Sequence, residues 1–169
     1  MTSRGIPRTT GRVIVVDENE QVLLFGMRDP EKVGFQRQWI TPGGRTNGEE
    51  TTRDAAAREL AEETGLVVSP NQLGSPVAYF ETLWDAPDGV VYHVHDDYWM
   101  LRTASFSPDN SGLEPDERAG LSVHRWWPLA DLRGLPPAEV FLPIGLGDLT
   151  SYLLANGHPK EPVRLPGSN

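Results

Sequence analysis

Hydrophobic and polar positions recur with two different periods along this 169-residue chain. Arg12 to Val16, the polar run Asp17-Glu18-Asn19-Glu20, and Gln21 to Phe25 predict a strand, a turn and a second strand. From Thr52 to Thr64 the spacing becomes helical: Ala56, Ala57, Leu60 and Ala61 fall on one side, while Glu59, Glu62 and Glu63 stand at i, i+3 and i+4 on another. Gly65 is a natural stop for that helix. Gly74 to Trp84 and Val90 to Arg102 predict two more strands around the turn Asp85-Ala86-Pro87-Asp88-Gly89. The second of them alternates, with Tyr92, Val94, Tyr98 and Met100 on one face and Val91, His93, His95, Asp97, Trp99 and Leu101 on the other.

Further along, Ser122 to Trp127 predicts a last strand and Pro128 to Leu132 a helical turn opened by proline. Pro143, Gly145 and Gly147 then divide an apolar stretch into a short helix from Pro137 to Leu142 and a longer one from Leu146 to Ala155, ended by Gly157. Residues 1–10 are unpatterned and read as a loose arm, 11–157 as one domain, and the proline-rich 158–169 as an extended tail. Two helices with five to seven partly alternating strands make the expected class α/β, a mixed sheet in a sandwich.

Composition narrows the chemistry. The formal net charge of −9 disfavours a grip on a nucleic-acid polymer, which depends on releasing counterions from phosphates. The absence of cysteine removes disulfides, thiol catalysis and cysteine zinc sites. Val13 to Val16 is too short for a signal peptide or a span, so no membrane is expected and the expected location is cytoplasmic.

The acidic helix is the first candidate site. Like charges at helical spacing repel by a few tenths of a kcal/mol per pair, roughly, so Glu59, Glu62 and Glu63 call for an offsetting cation. Magnesium suits carboxylate oxygens combined with substrate phosphates. Arg58, one turn after Asp54 and one turn before Glu62, is placed to hold part of the cluster by charge-assisted hydrogen bonds. Pro42-Gly43-Gly44 supplies a tight turn that brings bare backbone near the carboxylates.

Between Gly44 and Leu66 the chain fills every specified position of G-x5-E-x7-R-E-U-x-E-E-x-G-U, where U is a bulky aliphatic. From average residue usage, the chance of this is on the order of 10⁻¹⁰ per starting point. The segment resembles the Nudix box of the Nudix hydrolases, MutT-like enzymes. That resemblance implies an α/β/α sandwich with a mixed sheet. It also implies metal-dependent hydrolysis of a nucleoside diphosphate linked to another moiety, with Mg2+, or alternatively Mn2+, activating a water. It makes Glu59, Glu62 and Glu63 the metal ligands together with the carbonyl of Gly43, and Glu50, Gly44 and Arg58 the supporting residues. A further loop carboxylate completes many such sites, and here Glu117 is the first choice and Glu114 the second. The alternative within the resemblance is a non-catalytic nucleotide sensor or interaction module.

Everything that selects a substrate must lie outside the box. Arg28, Arg37 and Trp39 occupy a polar loop before it, and His93, His95 and Trp99 share one strand face; these are the candidate substrate contacts. His93 and His95 followed by Asp97 also raise a zinc site, against the preferred reading of a polar strand lacking a third histidine at zinc spacing. Neither the proline nor the tyrosine expected some fifteen residues past the box of related ADP-ribose or dinucleoside polyphosphate hydrolases stands in Phe80 to Trp84. The expected partner is a small nucleotide, and the expected assembly a monomer or homodimer.

Overall fold

In the computed structural model, residues 5–27, 37–116, 123–134 and 139–167 are described. Strand β1 (Ile6–Val16) runs through the middle of the sheet, and its Val13 to Val16 stretch is buried on both faces. It turns into β2 (Gln21–Met27) through Asp17, whose carboxylate accepts from the backbone N–H groups of Asn19 and Gln21. Next come β3 (Arg37–Ile40), β4 (Gly43–Arg45) and helix α1 (Thr52–Thr64), then a 3₁₀ turn at Pro70–Leu73. After it, β5 (Ala78–Asp85) and β6 (Val91–Arg102) form an antiparallel pair. The rest is β7 (Val123–Pro128), α2 (Leu129–Arg133), β8 (Glu139–Leu142), α3 (Leu146–Asn156) and β9 (Val163–Arg164).

The sheet order is β8-β3-β2-β1-β6-β5-β9, with β4 on β1 and β7 on β2. Its longest pairing is parallel, β1 on β6 from Ile6↔Tyr92 to Val16↔Arg102. Alternation along these strands divides the core in two. Ile14, Val16, Leu24 and Tyr98 pack with Leu146, Leu149 and Leu153 of α3, whereas Val13, Val15, Leu23 and Trp99 pack with Ala56, Ala57 and Leu60 of α1. Helices on both faces of a mixed sheet are the expected sandwich.

Three local expectations change. The loose arm is shorter than predicted, because Ile6 to Thr10 already pair with β6. Residues Glu139 to Leu142 form a strand, not a helix: they lie parallel to β3, and Phe141 packs edge-on against Trp127 at 4.9 Å between centroids. The run Val140-Phe141-Leu142 favours a pleated surface, and the open edge of β3 supplies its hydrogen bonds. Gly43 and Gly44, expected only as a turn, pair with Arg12 and Gly11 of β1.

Candidate active site

Helix α1 is capped at both ends by its own sequence. The Thr51 hydroxyl oxygen accepts from the Asp54 N–H at 3.1 Å. Gly65, at φ 76°, takes the left-handed position and donates to the Ala61 carbonyl at 2.9 Å. The helix lies close on β1 because Gly11 has no side chain: a Cβ there would collide with the Thr52 carbonyl and the Ala56 nitrogen. Its buried stripe runs Ala56, Leu60, Glu63, which is i, i+4, i+7. Glu63 therefore belongs to the packing side and not to the outer acidic face expected for it, while Ala61 is only half-buried.

Arg58 spends its whole guanidinium on this site. Nε and Nη2 donate to the two oxygens of Glu50 at 2.9 and 3.0 Å, a bidentate pair. Nη1 donates to Glu59 Oε1 at 2.8 Å and to Glu62 Oε2 at 3.2 Å, and Nη2 also donates to the Arg45 carbonyl at 2.9 Å. These five bonds match the five donors of the group. The pairing with Arg58 lowers the Glu50 pKa below its ordinary value and raises that of Arg58. Asp54, the other expected partner, instead accepts from the Thr51 hydroxyl at 2.7 Å.

Glu63 is 4% exposed, and its Oε2 accepts from the Gly43 N–H at 2.9 Å. Burial is the main reason its pKa is pushed up to about 8; Glu59 and Glu62 push the same way, and the Gly43 hydrogen bond and the Arg12 charge only partly oppose them. Gly44 sits directly beneath Glu59, where a Cβ would meet that carboxylate. An all-oxygen donor set with a buried carboxyl that resists ionisation fits a hard divalent cation, whose charge would favour the carboxylate form. Among the described residues no three His, Asp or Glu side chains converge closely enough to hold a metal as they stand. A cation here would compete with Arg58 Nη1 for Glu59 and Glu62.

Several substrate candidates are placed elsewhere. Trp39 is buried in the core against Trp127, 5.1 Å between centroids. Trp99 is 3% exposed in the layer beneath α1, and its Nε1–H donates to the Gly74 carbonyl at 3.2 Å. His93 and His95 are partly exposed on that same face: His93 Nε2 lies 2.9 Å from Glu81 Oε1, and His95 Nε2 lies 2.9 Å from Asp97 Oδ1. Asp97 in turn accepts from the Thr52 hydroxyl at 2.7 Å, so this polar row ties β6 to the start of α1. Glu114 is exposed on a loop that packs on the end of α1, where Gly112 lies against the Glu62 backbone and the Asp109 N–H donates to the Thr64 carbonyl at 2.9 Å. Arg28 and Glu117 lie outside the described residues, as does the side chain of Arg37.

The opposite face of β1 and β6 carries what the sequence reading missed. A cavity of about 120 Å³ is walled there by Ile40, Phe80, Tyr98 and Leu142, with Arg12 and Asp96 as its charged members. Arg12 pairs with Gly43 in register and donates from Nη1 to the Thr41 carbonyl at 3.1 Å, so it stands between the cavity and the Glu63 end of α1. A signal was present: Asp96 interrupts the otherwise apolar or aromatic face of Tyr92, Val94, Tyr98 and Met100.

A glycine strand under an acidic helix, at the edge of a mixed sheet covered by helices on both faces, defines a Nudix-type domain. The NUDIX domain model matches residues 7–143, and the chain belongs to that family. The m7GpppN-mRNA hydrolase NUDT17 of Danio rerio is 37% identical over 73 residues, 43% of this chain but only 24% of that protein. The uncharacterized Nudix hydrolase YvcI of Bacillus subtilis is 27% identical over 133 residues, 79% of this chain and 73% of its own length. Among solved structures, the NUDIX domain of Shewanella oneidensis NrtR complexed with ADP ribose superposes with a TM-score of 0.60 at 18% identity, covering 89% of this chain and 88% of that one. That likeness concerns the fold.

Proposed function

We propose that this chain is a metal-dependent hydrolase that cleaves the diphosphate linkage of a nucleoside diphosphate joined to another moiety. The observation that carries the reading is the buried carboxyl of Glu63, held on the Gly43 N–H beside Glu59 and Glu62, with Arg58 bracing both neighbours. Glu59, Glu62, Glu63 and the Gly43 carbonyl would hold Mg2+ or Mn2+. Once bound, the ion supplies charge neutralisation on phosphate oxygens and a water acidic enough to attack phosphorus.

The chain's own residues do the rest. Arg58 and Glu50 fix the orientation of the carboxylates, Gly44 leaves room for Glu59, and Arg12 offers a cation between the carboxylates and the cavity. Glu117 remains the first choice for a base outside the box and Glu114 the second, since the loop before them packs on the end of α1. The −9 charge favours a small nucleotide over a polymer, and among the described residues no helix is long and apolar enough to cross a membrane. A cytoplasmic monomer or homodimer is the working assignment.

The test is a nucleotide panel incubated with the full chain and Mg2+ or Mn2+. A nucleoside monophosphate product, abolished by chelation and restored by metal, is the expected result. Tight nucleotide binding without cleavage under either metal would favour the sensor alternative.

A further inference from the structure

We propose that His93, His95 and Glu81 form a second metal site, for a transition ion of the Zn2+ class, distinct in chemistry from the all-oxygen box. Its donors come from β5 and β6 and none from the box, so it does not depend on the hydrolase reading.

Register brings the three side chains together. His93 and His95 are two apart on β6, hence on one face of the strand. Glu81 of β5 stands directly across from His95, and residues so paired have Cβ atoms about 5 Å apart. A third histidine is therefore not required: the neighbouring strand supplies a carboxylate, and two imidazoles with one carboxylate are a zinc donor set. The three side chains are 33–37% exposed, which leaves a fourth position to water.

The placement of protons favours an ion. Asp97 Oδ1 lies 2.9 Å from His95 Nε2, and a carboxylate only accepts, so Nε2 carries the hydrogen. In the neutral ring the lone pair is then on Nδ1, which faces Glu81 Oε1 at 3.8 Å. Two acceptors oppose each other there, and a cation between them turns that repulsion into two bonds. His93 Nε2 lies 2.9 Å from the same Oε1; a bound ion takes the place of the hydrogen between them, and the neutral ring keeps its one proton on Nδ1. As they stand the side chains do not enclose an ion. Donor atoms around a tetrahedral Zn2+ with bonds of about 2.0–2.1 Å lie about 3.4 Å apart, and the two contacts, 2.9 and 3.8 Å, straddle that separation. Closing the difference takes side-chain shifts of about half an ångström.

Outer contacts hold His95 for this role. Tyr79 stacks on its ring at 5.8 Å between centroids, and Asp97 is fixed in turn by the Thr52 hydroxyl at 2.7 Å. A carboxylate on the far nitrogen of a ligating histidine sets its tautomer and raises its basicity. Imidazole also decides the metal: it suits Zn2+, where carboxylate and water suit Mg2+.

The experiment titrates the full chain with Zn2+ in excess Mg2+, which competes for the all-oxygen box, and repeats it with Co2+ as a spectroscopic probe. One equivalent of Zn2+ is expected to bind, Co2+ to give the visible bands of a four-coordinate ion, and the His93 and His95 imidazole NMR signals to shift as Zn2+ is added. His95→Ala and Glu81→Ala should each weaken Zn2+ binding by more than about 100-fold, with melting curves confirming the fold. Asp97→Asn should weaken it by about 10- to 100-fold with the Co2+ bands retained. Glu63→Gln should leave the Zn2+ affinity as it is. No stoichiometric Zn2+, wild-type affinity in any of His95→Ala, Glu81→Ala and Asp97→Asn, or loss of binding in Glu63→Gln overturns the assignment. A proton on His95 Nδ1 in place of an ion would show itself as the first of these results.

Discussion

The backbone N–H of Gly43 donates to Glu63 Oε2 at 2.9 Å, and this bond joins the strand on one side of the box to the helix on the other. It places a buried carboxyl at the sheet edge with its pKa pushed up to about 8, chiefly by burial. A carboxyl raised above its ordinary value of 4.5 stabilises the fold fully below that value and loses this contribution as pH rises through about 8. Metal-free protein should therefore lose stability between about pH 5 and pH 8 at this group, measured by denaturant unfolding after chelation. Metal binding should release a proton across the same window, visible in calorimetry repeated in buffers of different ionisation enthalpy. Proton uptake, or no buffer dependence, would contradict the placement of Glu63.

Arg58 bonds to Glu50, Glu59, Glu62 and the Arg45 carbonyl at once. Arg58→Ala should cost about 10- to 100-fold in metal affinity or kcat, the usual scale for residues that orient ligands. Arg58→Lys should recover little, because an ammonium cannot reproduce the planar fork. Recovery to wild-type kcat by lysine would reduce the role of Arg58 to charge alone.

Gly11 is where α1 touches β1. Gly11→Ala places a methyl group against the Thr52 carbonyl and should destabilise by about 1–3 kcal/mol, as overpacking does. Urea unfolding with an unchanged slope and a lowered midpoint is the expected record.

Trp99 separates core from substrate roles. Trp99→Phe keeps most of the apolar bulk and removes the hydrogen bond to the Gly74 carbonyl, so stability should fall by about 1 kcal/mol while KM holds. A raised KM with unaltered stability would return Trp99 to the substrate site.

The box was legible because its chemistry is local. Thr51, Gly65 and the spacing of Ala56, Leu60 and the glutamates specify helix limits, and the observed helix spans the expected Thr52–Thr64. Sidedness within the helix was less so: Glu63 is acidic yet lies on the stripe of Ala56 and Leu60, because that stripe ends against the backbone of Gly43. Strands β3 and β8 were missed because each is short and completed only by the other, a pairing that brings residue 37 beside residue 139. The cavity was missed for a related reason. Arg12 and Asp96 are 84 residues apart in sequence and become neighbours only through the parallel β1–β6 register. His93 and His95 share their strand face with the buried Trp99, whereas Asp96 lies on the opposite face.

The most direct test compares wild-type turnover of whichever nucleotide the panel identifies with that of Glu62→Gln and Glu63→Gln proteins at saturating Mg2+. Loss of a direct ligand should exceed the effect at Arg58, lowering kcat by more than about 100-fold while the folded state persists. Full wild-type turnover in both variants would contradict a metal centre built on these carboxylates.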